Sequence, residues 1–138
     1  MSDIKLTFDA SKFRKRLHLL EEMSLDARMA AAEQITDKIL GRAKDNAPVD
    51  QGFLVGDIAQ TVENRDGTIV VFCYVPDGAQ SSEYAIKMHE EKYNLGPNSL
   101  AQAAKGFSVG NKYIRRAMDD SVEDIGNIIE FEYKRRLK

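Results

Sequence analysis

The chain has 138 residues, 20 Lys and Arg against 22 Asp and Glu, a net charge of −2, 43% apolar residues and 30% charged ones. This suits one globular domain over residues 1–138 with a single core, and it argues against a disordered chain. The near-neutral balance leaves no electrostatic footprint for non-specific nucleic-acid binding, and the single cysteine excludes an intramolecular disulfide framework and an all-Cys metal site.

The first residues carry no basic-then-apolar signal pattern, and no apolar run approaches the roughly 20 residues needed to span a bilayer, so the expected place of synthesis is the cytosol. Ile4, Leu6 and Phe8 alternate with Lys5 and Thr7, which predicts a half-buried strand. Asp9 or Ser11 then caps a helix with Phe13, Leu17 and Leu20 on one face and a basic run from Lys12 to Arg16 around it. Ser24 is the next N-cap. From it Leu25, Met29, Ala32, Ile35, Ile39 and Ala43 fall at helical spacing, until Pro48 ends the helix.

The period then shortens. Ile58 and Val62 lead to a turn at Asp66-Gly67, followed by an apolar run around Ile69, Val70, Val71 and Phe72. Asp-Gly between two such runs signals a hairpin, and a strand apolar on both faces suggests a central strand or one covered by a neighbouring subunit. Tyr84, Ile86 and Met88 alternate and read as a third strand or a short helix. Residues 91–108 hold few large apolar side chains and read as a loop, mobile until assembled. From Asn111 the helical period returns through Ile114, Met118, Ser121, Ile125, Ile128 and Leu137, with a basic end that suits a helix C-terminus.

Catalytic chemistry is sparse. His18 sits among basic residues and reads as solvated. His89-Glu90-Glu91 is half of a zinc motif, but position 93 is Tyr where a second ligand would stand. Cys73 lies in the apolar strand with no neighbouring charge to lower its pKa, so it reads as a small hydrophobe. No phosphate-binding glycine loop occurs, and Asp119, Asp120, Glu123 and Asp124 read as a solvated helix face. Residues 48–52 combine a helix-stopping proline, an aspartate able to bond the backbone and a glycine suited to positive φ. They read as a plain turn or as a shaped loop offered to a partner.

Three segments occur in a fixed order: residues 43–54 with Ala47, Pro48, Val49, Asp50, Gly52 and Leu54; Tyr84, Ala85, His89 and Glu90; and Gly110, Lys112, Tyr113, Ile114 and Ala117. This resembles the tailed-phage neck proteins, the head–tail joining or tail-completion family, also described as minor capsid or minor tail proteins. Members read A-P-V-D-T-G-x-L, then Y-A-x-x-V-H-E, then G-x-x-K-F/Y-L-x-x-A. The likeness runs from about residue 25 to 130. Two departures stand out: Gln51 replaces the usual Thr, and Asp57-Ile58 replaces Ser-Ile.

The resemblance implies an α+β fold with long N-terminal helices, a small antiparallel sheet and a long C-terminal helix packed on it. It implies no enzyme activity, no cofactor and no metal. It implies a virion protein that forms a sixfold or twelvefold ring in the neck, between the portal-adaptor complex and the tail tube or tail terminator. Genomic DNA would pass through the lumen without specific binding, for which a mildly acidic chain is suited. The assembly surface implied comprises Pro48, Val49, Asp50, Gly52, Leu54, Tyr84, His89, Glu90 and Tyr113. A tail-terminator ring is the alternative. More distant rivals are a small metal-dependent hydrolase or nuclease built on His89, Glu90 and the 119–124 acids, and a nucleic-acid binder using Lys12 to Arg16 and the basic C-terminus.

Overall fold

A computed structural model describes residues 10–49 and 52–135. The strand expected at residues 4–8, and Asp50 and Gln51, lie outside the described residues. Among the described residues the order is α1 (Ala10–Glu22), α2 (Leu25–Asn46), α3 (Phe53–Asp57), β1 (Ala59–Arg65), β2 (Thr68–Tyr74), α4 (Ser82–Glu90), α5 (Pro97–Ala104), α6 (Tyr113–Asp120) and α7 (Val122–Arg135). The fold is α+β with a small antiparallel sheet and a long C-terminal helix.

Helix α2 is the spine. Ser24 caps it, its hydroxyl accepting from the Ala27 amide at 3.2 Å. The buried stripe is built from small residues: Ala27, Ala31, Ala32 and Ala43, with Thr36 and Ile39. Leu25, expected on that stripe, is 40% exposed. Alanines let neighbouring helices approach closely where larger side chains would hold them apart. Along the first half of α2, Met23, Ala27 and Ala31 pack with Ile129 of α7 and the half-buried Leu19 and Leu20 of α1. Along the second half, Ile39, Ala43 and Ala47 pack with Leu54, Ile58, Ala85, Tyr113 and Ala117. Helix α7 rests mainly on α1 and α2, and the sheet lies along α2.

The hairpin turn forms as its residues dictate. Asp66 and Gly67 both take positive φ, 53° and 89°, which is the two-residue loop that matches strand twist. The Asn64 side chain accepts from the Gly67 amide at 2.9 Å. The register pairs Ala59 with Tyr74 and Arg65 with Thr68. Strand β2 is not central here: among the described residues it pairs with β1 alone.

Of the two forms expected for Tyr84, Ile86 and Met88, the structure shows the short helix, α4, on which Ile86 is exposed. Two further expectations change. The presumed loop at 91–108 contains α5, which starts at Gly96-Pro97, with proline where a helix has no use for an amide hydrogen. The C-terminal helical run is two helices. Ser121 separates them, its buried hydroxyl donating to the Ala117 carbonyl at 2.6 Å and accepting from Arg42 at 2.8 Å.

Candidate functional site

The three sequence segments that carry the resemblance converge at the C-terminal end of α2. The first contributes Ala47 and Leu54, the second Ala85 and the third Tyr113 and Ala117, all in one buried cluster. Main-chain bonds fasten them together: the Gly110 amide donates to Asn46 at 2.9 Å, and the Lys112 amide to His89 at 2.7 Å. The Asn46 side chain donates to the Tyr113 carbonyl at 3.4 Å.

Tyr113 is 1% exposed, and its hydroxyl donates to the Ala85 carbonyl at 2.8 Å. Burial pushes its pKa up, because a phenolate there would lose water without gaining a cation. The His89 ring meets the Tyr113 ring edge-on, centroids 4.8 Å apart. His89 Nδ1 lies 3.1 Å from a Glu90 oxygen, and the Arg115 amide points at Nε2 from 3.5 Å. Glu90 also pairs with Lys112, and the Lys112 ammonium and His89 together hold its carboxyl below the usual range. Both nitrogens of His89 thus face partners inside the protein, and the residue acts as a latch between α4 and α6.

The turn after α2 is shaped as its residues suggest. Gly52 has φ +86° and precedes α3. Val49 is clamped by Ser99 of α5, whose hydroxyl accepts from the Val49 amide at 2.7 Å and donates to its carbonyl at 3.1 Å. Asp57, one of the two departures from the family pattern, ends α3 and accepts both the amide and the hydroxyl of buried Ser81, at 2.8 and 2.7 Å. The charge is therefore used to hold the start of α4.

Beside this junction lies a cleft of about 620 Å³, bounded by Pro48, Val49, Phe53, Tyr84, Met88 and the 93–99 segment. Exposed Ile86 and Leu100 lie on α4 and α5, the helices that border it. Of the residues expected at an assembly surface, Pro48, Val49 and Tyr84 line this cleft, and Glu90 is exposed. Leu54 and Tyr113 are core residues at 2% and 1% exposure, so they shape the surface from beneath. Phe53, Met88 and Leu95 also line the cleft. Phe53 follows Gly52 and Leu95 precedes Gly96-Pro97, so each stands alone in the sequence pattern, and Met88 is read there only as part of an alternating run.

The candidates for other chemistry are placed apart or paired. Glu123 lies 3.6 Å from Arg16, and Asp124 pairs with Arg42. Arg16, part of the basic run, is 12% exposed and donates to Glu130 at 3.0 Å, so it faces α7 rather than a polyanion. Among the described residues no group of three or more His, Cys, Asp and Glu is placed to hold a metal ion. Cys73 has a charged neighbour after all: Lys44 lowers its pKa, but burial outweighs it and pushes the thiol up to about 11. Among the described residues no helix is long and apolar enough to cross a membrane.

Comparison of the chain with protein-family models, curated proteins and solved structures gave no match.

Proposed function

We propose that this chain is a structural virion protein of a tailed phage, a ring-forming neck component that completes the tail and joins it to the head. The observation that supports this most is convergence. The three segments resembling neck proteins are far apart in sequence, yet Leu54, Ala85 and Tyr113 share one core cluster beside one cleft. In this reading the cleft and its apolar lining, Phe53, Tyr84 and Met88, meet an adjacent subunit. Repetition of one such heterologous contact closes a ring.

The proposed role is that of an assembly surface without catalysis. DNA crosses the lumen, and the ring's partners are the portal-adaptor complex on one side and the tail tube or its terminator on the other. The test is imaging of particles together with particles lacking the gene product. Loss of the protein is expected to leave filled heads and separate tails, and symmetric neck density is expected to fit this fold. Density for the chain at the tube end of free tails would instead indicate a tail terminator. Joined, infectious particles without the protein would overturn the reading.

A further inference from the structure

Residues 93–99, which lead into α5, line the cleft of about 620 Å³ together with Val49, Phe53 and Met88. The wall they form is fastened in an unusual way. Of the eight described residues of α5, Ser99 alone is buried, and Leu100, its one large apolar side chain, is 55% exposed. Helices are held in place mostly by burying an apolar face, so a helix whose buried side chain is a hydroxyl lies at the low end of local stability. The segments on either side are tied down more firmly. Before it, the Tyr93 hydroxyl donates to the Met88 carbonyl at 2.7 Å. After it, Arg116 donates to the Ser108 carbonyl at 2.8 Å, and the Gly110 amide donates to Asn46 at 2.9 Å. Between these ties, Gly96 stands directly before α5 and Gly106 just after it, at φ +101°. Glycine passes through backbone conformations closed to other residues, which suits both positions to absorb a turn.

We propose that residues 94–107 are a strap that gates the cleft: it opens while the core stays folded, with Gly96 and Gly106 absorbing the turn, when Ser99 leaves Val49. The clamp is the latch, because the Ser99 hydroxyl holds both the amide and the carbonyl of Val49, at 2.7 and 3.1 Å. An isolated helix shorter than about 12 residues is marginal in water, so α5 unwinds once it lifts off. Opening removes one wall of the cleft and uncovers Val49, which widens the apolar surface offered beside Phe53 and Met88. The purpose of this opening, to admit an apolar side chain of an adjacent subunit, rests on the reading of the cleft as a subunit contact. The opening itself does not.

The experiment is native-state hydrogen exchange of the full chain in rising denaturant, below the unfolding midpoint. The amides of Leu100 and Lys105, bonded within α5 and at its end, are expected to exchange at least about tenfold faster than those in the middle of α2. Their rate is expected to change little with denaturant, because a local opening exposes little surface. Exchange in α5 that follows α2 at every denaturant concentration would show opening only with global unfolding and would overturn the proposal. A second measurement is thiol labelling of Val49→Cys in a Cys73→Ser background. Adding Ser99→Ala is expected to raise the labelling rate about tenfold while the α2 amides keep their protection. An unchanged rate would show that Ser99 does not hold the cleft closed and would also overturn the proposal. Both measurements use the purified chain, so they succeed or fail independently of the particle imaging that tests the subunit contact.

Discussion

The Tyr113 hydroxyl donates to the main-chain carbonyl of Ala85 across 28 residues, at 2.8 Å and out of contact with water. This bond joins the second and third of the three segments, and the ring behind it fills the core next to Leu54. Tyr113→Phe keeps the ring and loses the bond, an expected cost of about 1 kcal/mol. Tyr113→Ala also opens a cavity and is expected to cost about 3–5 kcal/mol. Chemical denaturation of the two variants measures both, and equal losses would show that the ring's packing adds nothing.

Ser99 ties α5 to the turn after α2 through two bonds to Val49. Ser99 is 3% exposed, and its removal takes away the bonds it makes to the amide and carbonyl of the half-buried Val49. Ser99→Ala is expected to cost about 1–2 kcal/mol and to speed hydrogen exchange across residues 96–105 while sparing α2. Exchange there as slow as in α2, with Ser99 replaced, would show that α5 is held by other means.

Much of the fold was legible because local chemistry and tertiary packing agree there. Ser24 caps the helix it precedes, Asp66-Gly67 turns the hairpin it separates, and Pro48 follows the end of α2. The sequence stays open where one residue fits two patterns. Tyr84 and Met88 satisfy both period two and a spacing of four, so strand and short helix are equally readable, and the fold places them on α4. Helix α5 was hidden because its buried anchor is a serine rather than a large apolar residue. The candidate cleft was half legible. Pro48, Val49 and Tyr84 announce themselves by motif, whereas Phe53, Met88 and Leu95 join them only through the fold.

His89 has internal partners at both ring nitrogens and packs against Tyr113. His89→Ala is expected to cost about 1–2 kcal/mol through lost packing and to leave hydrolase and nuclease assays at the background of the unaltered protein, with or without divalent metal. Metal-dependent turnover that disappears with this substitution would replace the assembly reading with an enzymatic one.

Cys73 gives a pH-dependent signature. Its thiol has a folded pKa of about 11 against an ordinary 9.0, because burial outweighs the attraction of Lys44. The protonated form is favoured in the folded state. Its contribution to stability is therefore complete below pH 9 and is lost as the pH rises from 9 through 11. Tyr113, also held above its ordinary value by burial, extends the loss beyond pH 10. Alkylation of Cys73 in the folded protein is expected to be slow at pH 8 and to rise with a midpoint near pH 11, whereas the unfolded chain reacts with a midpoint near 9. A folded-state midpoint at or below 9 would show that Lys44 governs the thiol.

Gly52 stands in the left-handed region at φ +86°, between the Ser99-clamped residue Val49 and the buried Leu54. A Cβ at this position would meet no atom within 4 Å, so the penalty of an alanine comes from the backbone. Gly52→Ala is expected to cost about 1–2 kcal/mol, and β-branched Gly52→Val about 1–3 kcal/mol. If the chain relieves that strain by rotating the turn, the angle between α2 and the cleft changes with it. In a ring the same error repeats at every subunit, whereas in a monomer it counts once. The two variants are therefore expected to lose joined, infectious particles out of proportion to their loss in thermal stability. Gly52→Val supplied to particles lacking the natural protein tests this beside a melting curve of the purified variant. Normal joining by a variant destabilised as expected would show that the turn is only a connector and that the assembly surface lies elsewhere.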